Sequence, residues 1–133
     1  MMTMTTYLAD SSAWIDFMRQ PSSALRVFVE DNSAGHTEPV AMELLSGTST
    51  ARHTLDIERL LLRSPLLAFD STSDFLAATQ LRRTALRRRW RVGIVDCMIL
   101  AVAARHDVPL LTRDRAQAEL AASVGLRAEL IGS

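Results

Sequence analysis

Thr6-Tyr7-Leu8-Ala9 is a short apolar run, and Asp10-Ser11-Ser12 follows it without a break. The run predicts a buried strand. The polar triplet predicts a turn into a helix that carries Trp14, Ile15, Phe17 and Met18. The same order recurs near the other end. Val108-Pro109-Leu110-Leu111-Thr112 reads as a strand, Asp114 follows, and Arg115 to Val124 reads as a helix ended by Gly125. Both strands are apolar throughout rather than alternating, as in a parallel sheet covered on both faces. Such sheets bind ligands at the carboxyl ends of their strands, where both aspartates stand.

The chain between these units keeps alternating. Pro21 opens a helix from Ser22 to Asp31, and Gly35-His36-Thr37 reads as a short strand. Pro39 and Gly47 bracket Val40 to Leu45 as a proline start and a glycine stop. A helix from Thr50 to Arg63 is stopped by Pro65, and Leu66-Leu67-Ala68-Phe69 reads as another strand. Ser71 or Ser73 caps a helix from Asp74 to about Trp90. Ile94 to His106 is a helix apolar on nearly every side, and Arg127 to Ile131 is a last strand. There is no repeat and no linker-like stretch. Residues 1–133 are therefore read as one α/β domain, with 1–5 as a disordered start.

Composition narrows the chemistry. The 133 residues are 48% hydrophobic and 23% charged, enough apolar material for a core. All 15 basic residues are arginines, balanced by 15 acids to a net charge of zero. Without a lysine there is no Walker A loop, no protein-kinase site and no pyridoxal Schiff base. Cys97 is the single cysteine, so neither an internal disulfide nor a multi-thiolate zinc site can form. That usage suits a reducing cytoplasm. The longest apolar stretch, Cys97 to Ala104, is far short of the about 20 residues a membrane span needs. Met1 to Thr6 lacks the basic and apolar regions of a signal peptide.

The informative residues are acids in apolar surroundings. Asp10 and Asp114 end strands, Glu43 lies in Val40-Ala41-Met42-Glu43-Leu44-Leu45, and Asp96 lies in Ile94-Val95-Asp96-Cys97-Met98-Ile99-Leu100. No basic residue stands three or four positions from Asp96, so burial there requires a partner from elsewhere in the fold. Singly, each has a plain explanation: Asp10 and Asp114 as helix caps, Glu43 as a solvated position, Asp96 as a first-turn acid serving the helix dipole. Jointly, converging carboxylates repel unless a cation neutralises them. Oxygen ligands without histidine or cysteine suit magnesium or manganese rather than zinc.

In order, Asp10-Ser11-Ser12-Ala13-Trp14-Ile15, Glu43-Leu44-Leu45-Ser46-Gly47, Asp96 within Ile94 to Ala101, and Leu111-Thr112-Arg113-Asp114 resemble the motifs of PIN domains. More narrowly they resemble VapC toxins of type II toxin–antitoxin systems, and the resemblance runs from Tyr7 to about Ile131. It implies a PIN-like three-layer α/β/α sandwich with a short central parallel sheet. It also implies a Mg2+- or Mn2+-dependent endoribonuclease whose acidic quartet is Asp10, Glu43, Asp96 and Asp114, with Ser12 and Thr112 lining the site. A cognate VapB-type antitoxin and a homodimer are implied as partners. The chain departs from the pattern after its last aspartate. Many relatives carry a further acid and an aromatic there, and here Arg115-Ala116-Gln117 stand instead.

The inferred chemistry is metal-assisted phosphodiester hydrolysis giving a 3′-hydroxyl and a 5′-phosphate. Six arginines occupy positions 82 to 91 with no acid among them, so the rest of the neutral chain carries −6. Arg87 and Arg88 in this run, and Arg113 and Arg115 flanking Asp114, are candidate RNA contacts; a solvated face or an antitoxin contact also accounts for the run. His36, His53 and His106 form no ligand pair. A receiver or phosphatase built on Asp10 lacks its lysine or its second aspartate, since Ser12 stands two residues on. A catalytically silent PIN-like module that binds RNA or protein, and a structure-specific nuclease outside toxin–antitoxin systems, would share these motifs.

Overall fold

A computed structural model describes residues 5–132, so residues 1–4 of the expected disordered start lie outside it. The elements run β1 (Tyr7–Ala9), α1 (Ser11–Arg19), α2 (Arg26–Glu30), β2 (Ala34–Gly35), α3 (Glu38–Ser46) and α4 (Ala51–Leu62). They continue with α5 (Ser73–Arg87), α6 (Ile94–Arg105), β3 (Leu110–Thr112), α7 (Arg115–Ser123) and β4 (Ala128–Leu130). The strands form one parallel sheet in the order β2-β1-β3-β4. Leu8 pairs with Leu110 and Ala9 with Leu111, and all four side chains are fully buried.

Strand order places the site. From β1 the chain crosses toward β2, and from the adjacent β3 it crosses the other way toward β4. Right-handed crossovers in opposite directions put their helices on opposite faces, giving the three-layer α/β/α sandwich. They also open a crevice between the carboxyl ends of β1 and β3, the switch point of the sheet. Asp10 and Thr112 stand there.

The central helix is α6. Cys97, Ile99, Leu100, Ala101, Val102 and Ala103 are all buried, which accounts for its apolar character on nearly every side. It packs against α5, α3 and α7. Burial holds the Cys97 thiol up at about 11, so it behaves as a small apolar side chain rather than a nucleophile.

Several sequence expectations are corrected. The helix expected from Ser22 to Asp31 is only Arg26–Glu30. Ser23 N–H bonds to Gln20 O and Arg26 N–H to Ser23 O, so the serines are taken up in turns. The strand expected at Leu66 to Phe69 is a single bridge from His36 to Leu66, and β2 itself ends at Gly35. Pro65 has no N–H for the ladder, and Phe69 N–H is taken by Glu38 Oε1 at 2.8 Å. Neither Ser71 nor Ser73 caps α5. Thr72 holds the cap position without a side-chain bond, and Asp70 Oδ2 accepts from Ser73 N–H at 2.7 Å. The helix stops at Arg87 because Arg89 turns left-handed (φ 58°), with Trp90 N–H closing on Ala85 O.

Candidate active site

Asp10 follows β1 and caps α1, with its backbone N–H still in the ladder to Leu111 O. Its side chain is 2% exposed and divided between two tasks. Oδ1 accepts from Ala13 N–H at 2.9 Å and Ser12 Oγ at 2.7 Å. Oδ2 faces Thr112 Oγ1 at 2.5 Å across the switch point. Burial pushes its pKa above the ordinary carboxylate range. The hydrogen bonds from Thr112, Ser12 and Ala13 oppose that, and the charge of Asp114 adds to it. Ser12 also accepts from Arg113 N–H at 3.1 Å, which ties α1 to the chain leaving β3.

Asp114 repeats the arrangement on β3. It caps α7, and its Oδ1 accepts from Ala116 N–H at 2.9 Å and Gln117 N–H at 3.2 Å. Its own N–H donates to Thr112 Oγ1 at 2.9 Å. Thus both strand-end aspartates are helix caps, and both stand at the carboxyl ends of neighbouring strands.

Asp96 enters from the first turn of α6, just after the N-cap Gly93. Its pKa is raised to about 6, first by burial and then by the charges of Asp10, Asp114 and Glu43; the Gly93 N–H pulls the other way. The mutual repulsion is the physical sign that the four carboxylates share one field. Glu43, on the exposed side of α3, is held by Ser11 Oγ, which donates to its Oε1 at 2.5 Å. Ser11 is a site residue that sequence reasoning missed. Nothing local marks it, because its partner is 32 residues away.

The cations go elsewhere. Among the described residues, Arg113 pairs with Asp16 at 2.7 Å, Arg105 with the buried Asp74 at 2.9 Å and Arg127 with Asp107 at 3.3 Å. No ion pair there neutralises the quartet. The donor set is all oxygen, partly buried and short of positive charge, which fits a hard divalent cation. Among the described residues, no three His, Cys, Asp or Glu side chains already stand close enough to ligate one ion.

The candidate RNA contacts are not gathered equally. Arg115 is exposed at the start of α7, beside Asp114. Arg87 bonds Thr84 Oγ1 at 3.2 Å, and Arg88 lies 5.2 Å over the Trp90 ring at the end of α5. The chain reaches Gly93 and Asp96 directly from there. His36 and His106 bond Ser64 and the Ala68 carbonyl, away from the acids.

Comparison with known proteins identifies the family. Residues 7–123 match the family model of the PIN domain. The chain is 37% identical to VapC ribonuclease Mb1587 of Mycobacterium bovis and to ribonuclease VapC11 of Mycobacterium tuberculosis, over 80% of this chain and 85% of each relative. Among solved structures it resembles the DNA-bound VapBC of Salmonella typhimurium, with a TM-score of 0.80 at 23% identity, covering 95% of this chain and 98% of that one. It also resembles VapBC-5 of Mycobacterium tuberculosis, with a TM-score of 0.67 at 21% identity, covering 94% and 98%.

Proposed function

Because the chain belongs to the PIN-domain family, we propose that it is the toxin of a type II toxin–antitoxin pair, an endoribonuclease that hydrolyses RNA phosphodiesters with Mg2+ or Mn2+. The observation that carries this reading is the shared field of Asp10, Glu43, Asp96 and Asp114 at the sheet's switch point. Asp10 and Asp96 are the residues that would hold the ion, with Glu43 and Asp114 beside them. When bound, the ion supplies charge to polarise the scissile phosphate and acidify a water.

The chain's own residues do the rest. Thr112, Ser12 and the Ala13 amide fix the rotamer of Asp10, so its orientation is set before any ligand arrives. Asp114 is likewise fixed by its cap bonds, which engage Oδ1 and leave Oδ2 outside the cap. Glu43, held by Ser11 Oγ and otherwise exposed, would together with Asp114 position an attacking water or help hold a second ion. Arg115, Arg87 and Arg88 supply positive charge to the RNA backbone; Arg113, paired with Asp16, adds to the same field.

Partners follow the same reading. A cavity of about 420 Å3, lined by Trp14, Phe17, Val29 and Leu60 together with the polar Asn32, Arg63 and Ser64, would seat a segment of a VapB-type antitoxin. A homodimer is the expected assembly. No helix of the described residues is long and apolar enough to cross a membrane.

The test is to express the chain without a partner and map the 5′ ends of cellular RNA against an Asp10→Asn control. Asn keeps the α1 cap while removing the charge, so the variant folds and loses at least about 100-fold in rate. New ends bearing 5′-phosphate that vanish in the variant support the proposal. Identical maps, or 2′,3′-cyclic phosphate ends, overturn it.

A further inference from the structure

Gln117 lies in the first turn of α7 with no exposed surface. A buried amide must be hydrogen-bonded, and this one bonds to the scaffold of the acidic site. Its Oε1 lies 2.9 Å from Thr112 Oγ1, the hydroxyl that also faces Asp10 Oδ2 at 2.5 Å. Its Nε2 donates to the backbone carbonyl of Asp96 at 3.2 Å. Its backbone N–H donates to Asp114 Oδ1 at 3.2 Å. One residue therefore touches the carriers of three acids that come from separate elements.

We propose that Gln117 is a positioning residue that sets the separation of Asp10 and Asp96, and so the affinity of the site for its divalent ion. This rests on the metal-dependent nuclease reading above. The Asp114 N–H occupies the acceptor side of Thr112 Oγ1. The single hydroxyl proton then has two oxygens to point at, Asp10 Oδ2 and Gln117 Oε1. It donates to one of them at a time, so the two oxygens compete for it and the hydroxyl is held between them by exchange of a single hydrogen bond. At its other end the amide N–H pulls the first turn of α6 toward β3. An amide is the side chain that offers an acceptor to the hydroxyl and a donor to the carbonyl at once. A carboxylate here would lack the donor and add charge to a site already crowded with it. An apolar side chain would offer neither contact. Gln117 belongs to the stretch Arg115-Ala116-Gln117 that stands where the resemblance led us to expect a further acid and an aromatic.

The experiment measures Mn2+ binding to the full chain, without RNA, by the electron paramagnetic resonance signal of the free ion. The variants are Gln117→Met, which keeps volume but not polarity, and Gln117→Asn, which keeps the amide but shortens its reach. Thr112→Val and the Thr112→Val/Gln117→Met double variant complete a cycle. Both Gln117 variants are expected to weaken Mn2+ binding roughly 10- to 100-fold. The double variant is expected to bind about as weakly as Thr112→Val alone, because the two residues act through one bridge. RNA cleavage by Gln117→Asn should return to near the parent rate at saturating Mn2+, which a general loss of structure would not allow. Should Gln117→Met fail to fold, Gln117→Asn carries the measurement. Unchanged affinity in a folded Gln117 variant, or losses that multiply in the double variant, overturn the proposal while leaving the nuclease reading intact. A parent chain that takes up no Mn2+ overturns both.

Discussion

Replacing Asp96 with Asn should make the metal-free protein more stable while abolishing cleavage. Asp96 holds its proton up to about 6, against an ordinary 3.8, because burial and three neighbouring carboxylates disfavour its charge. A folded-state pKa above the unfolded one means the native chain keeps a proton that the unfolded chain has released. Stability therefore falls as pH rises from about 4 to about 6 and stays reduced above that. A difference of this size is worth roughly 3 kcal/mol, and solvent at this half-buried side chain screens it to roughly 1–2 kcal/mol. Asn does not titrate, fills the same volume and still accepts from the Gly93 amide. In EDTA at pH 7.5, Asp96→Asn should melt roughly 3–8 °C above the parent. At pH 4.5 the gap should shrink to about a third of that, because the unfolded chain is still mostly ionised at this position. Saturating Mg2+ or Mn2+ should then raise the parent more than the variant, since only the parent keeps the full ligand set. Thermal melts followed by circular dichroism at the two pH values decide the matter. A variant that melts below the parent at pH 7.5, or a gap equal at both pH values, would show that Asp96 is not held against its charge.

Other substitutions separate structure from chemistry. Ser11→Ala frees Glu43 from its hydrogen bond and should slow RNA cleavage by roughly 3- to 10-fold, with a stability change within about 1 kcal/mol; steady-state rates and a melt on one preparation check both. Arg105→Ala strands the buried Asp74, which is 1% exposed, and should cost about 2–4 kcal/mol in urea unfolding while sparing kcat at low temperature. Arg89→Gly relieves a left-handed backbone and should stabilise the fold by about 1 kcal/mol. The same change should reduce the salt slope of RNA binding by about 1 if the arginine run meets phosphate, as read by fluorescence anisotropy across salt concentrations.

The legible parts of the fold were those set by local pattern. Continuous apolar strands, each followed by an aspartate, gave the parallel sheet and the two strand-end acids. Pro39 and Gly47 bounded α3, and the uniformly apolar α6 could only be central. Asp10 and Thr112 are 102 residues apart, yet each was placed by standing at a strand's carboxyl end. Contacts made by side chains of ordinary appearance escaped. Ser11 looks like any turn serine until α3 brings Glu43 to it. Gln117 looks like a surface helix residue until α7 folds it beneath the site. The segment from Leu66 to Phe69 has a strand's composition, but Glu38 and Arg105 take its backbone groups at Phe69 and Ala68, and no ladder can form. Pattern reading sees neighbours within a few residues, and those competitors come from more than thirty away.

The double duty of Asp10 and Asp114 shapes how such a gene can fall silent. Each carboxylate steadies the start of a helix with one oxygen and keeps the other outside that cap, so on the proposed reading mutation to alanine should damage folding along with activity. Asparagine keeps the first role and discards the negative charge, and it is a single nucleotide transition from either aspartate codon. Harmless, well-folded copies arising by drift should therefore carry asparagine at these two positions more often than any other residue.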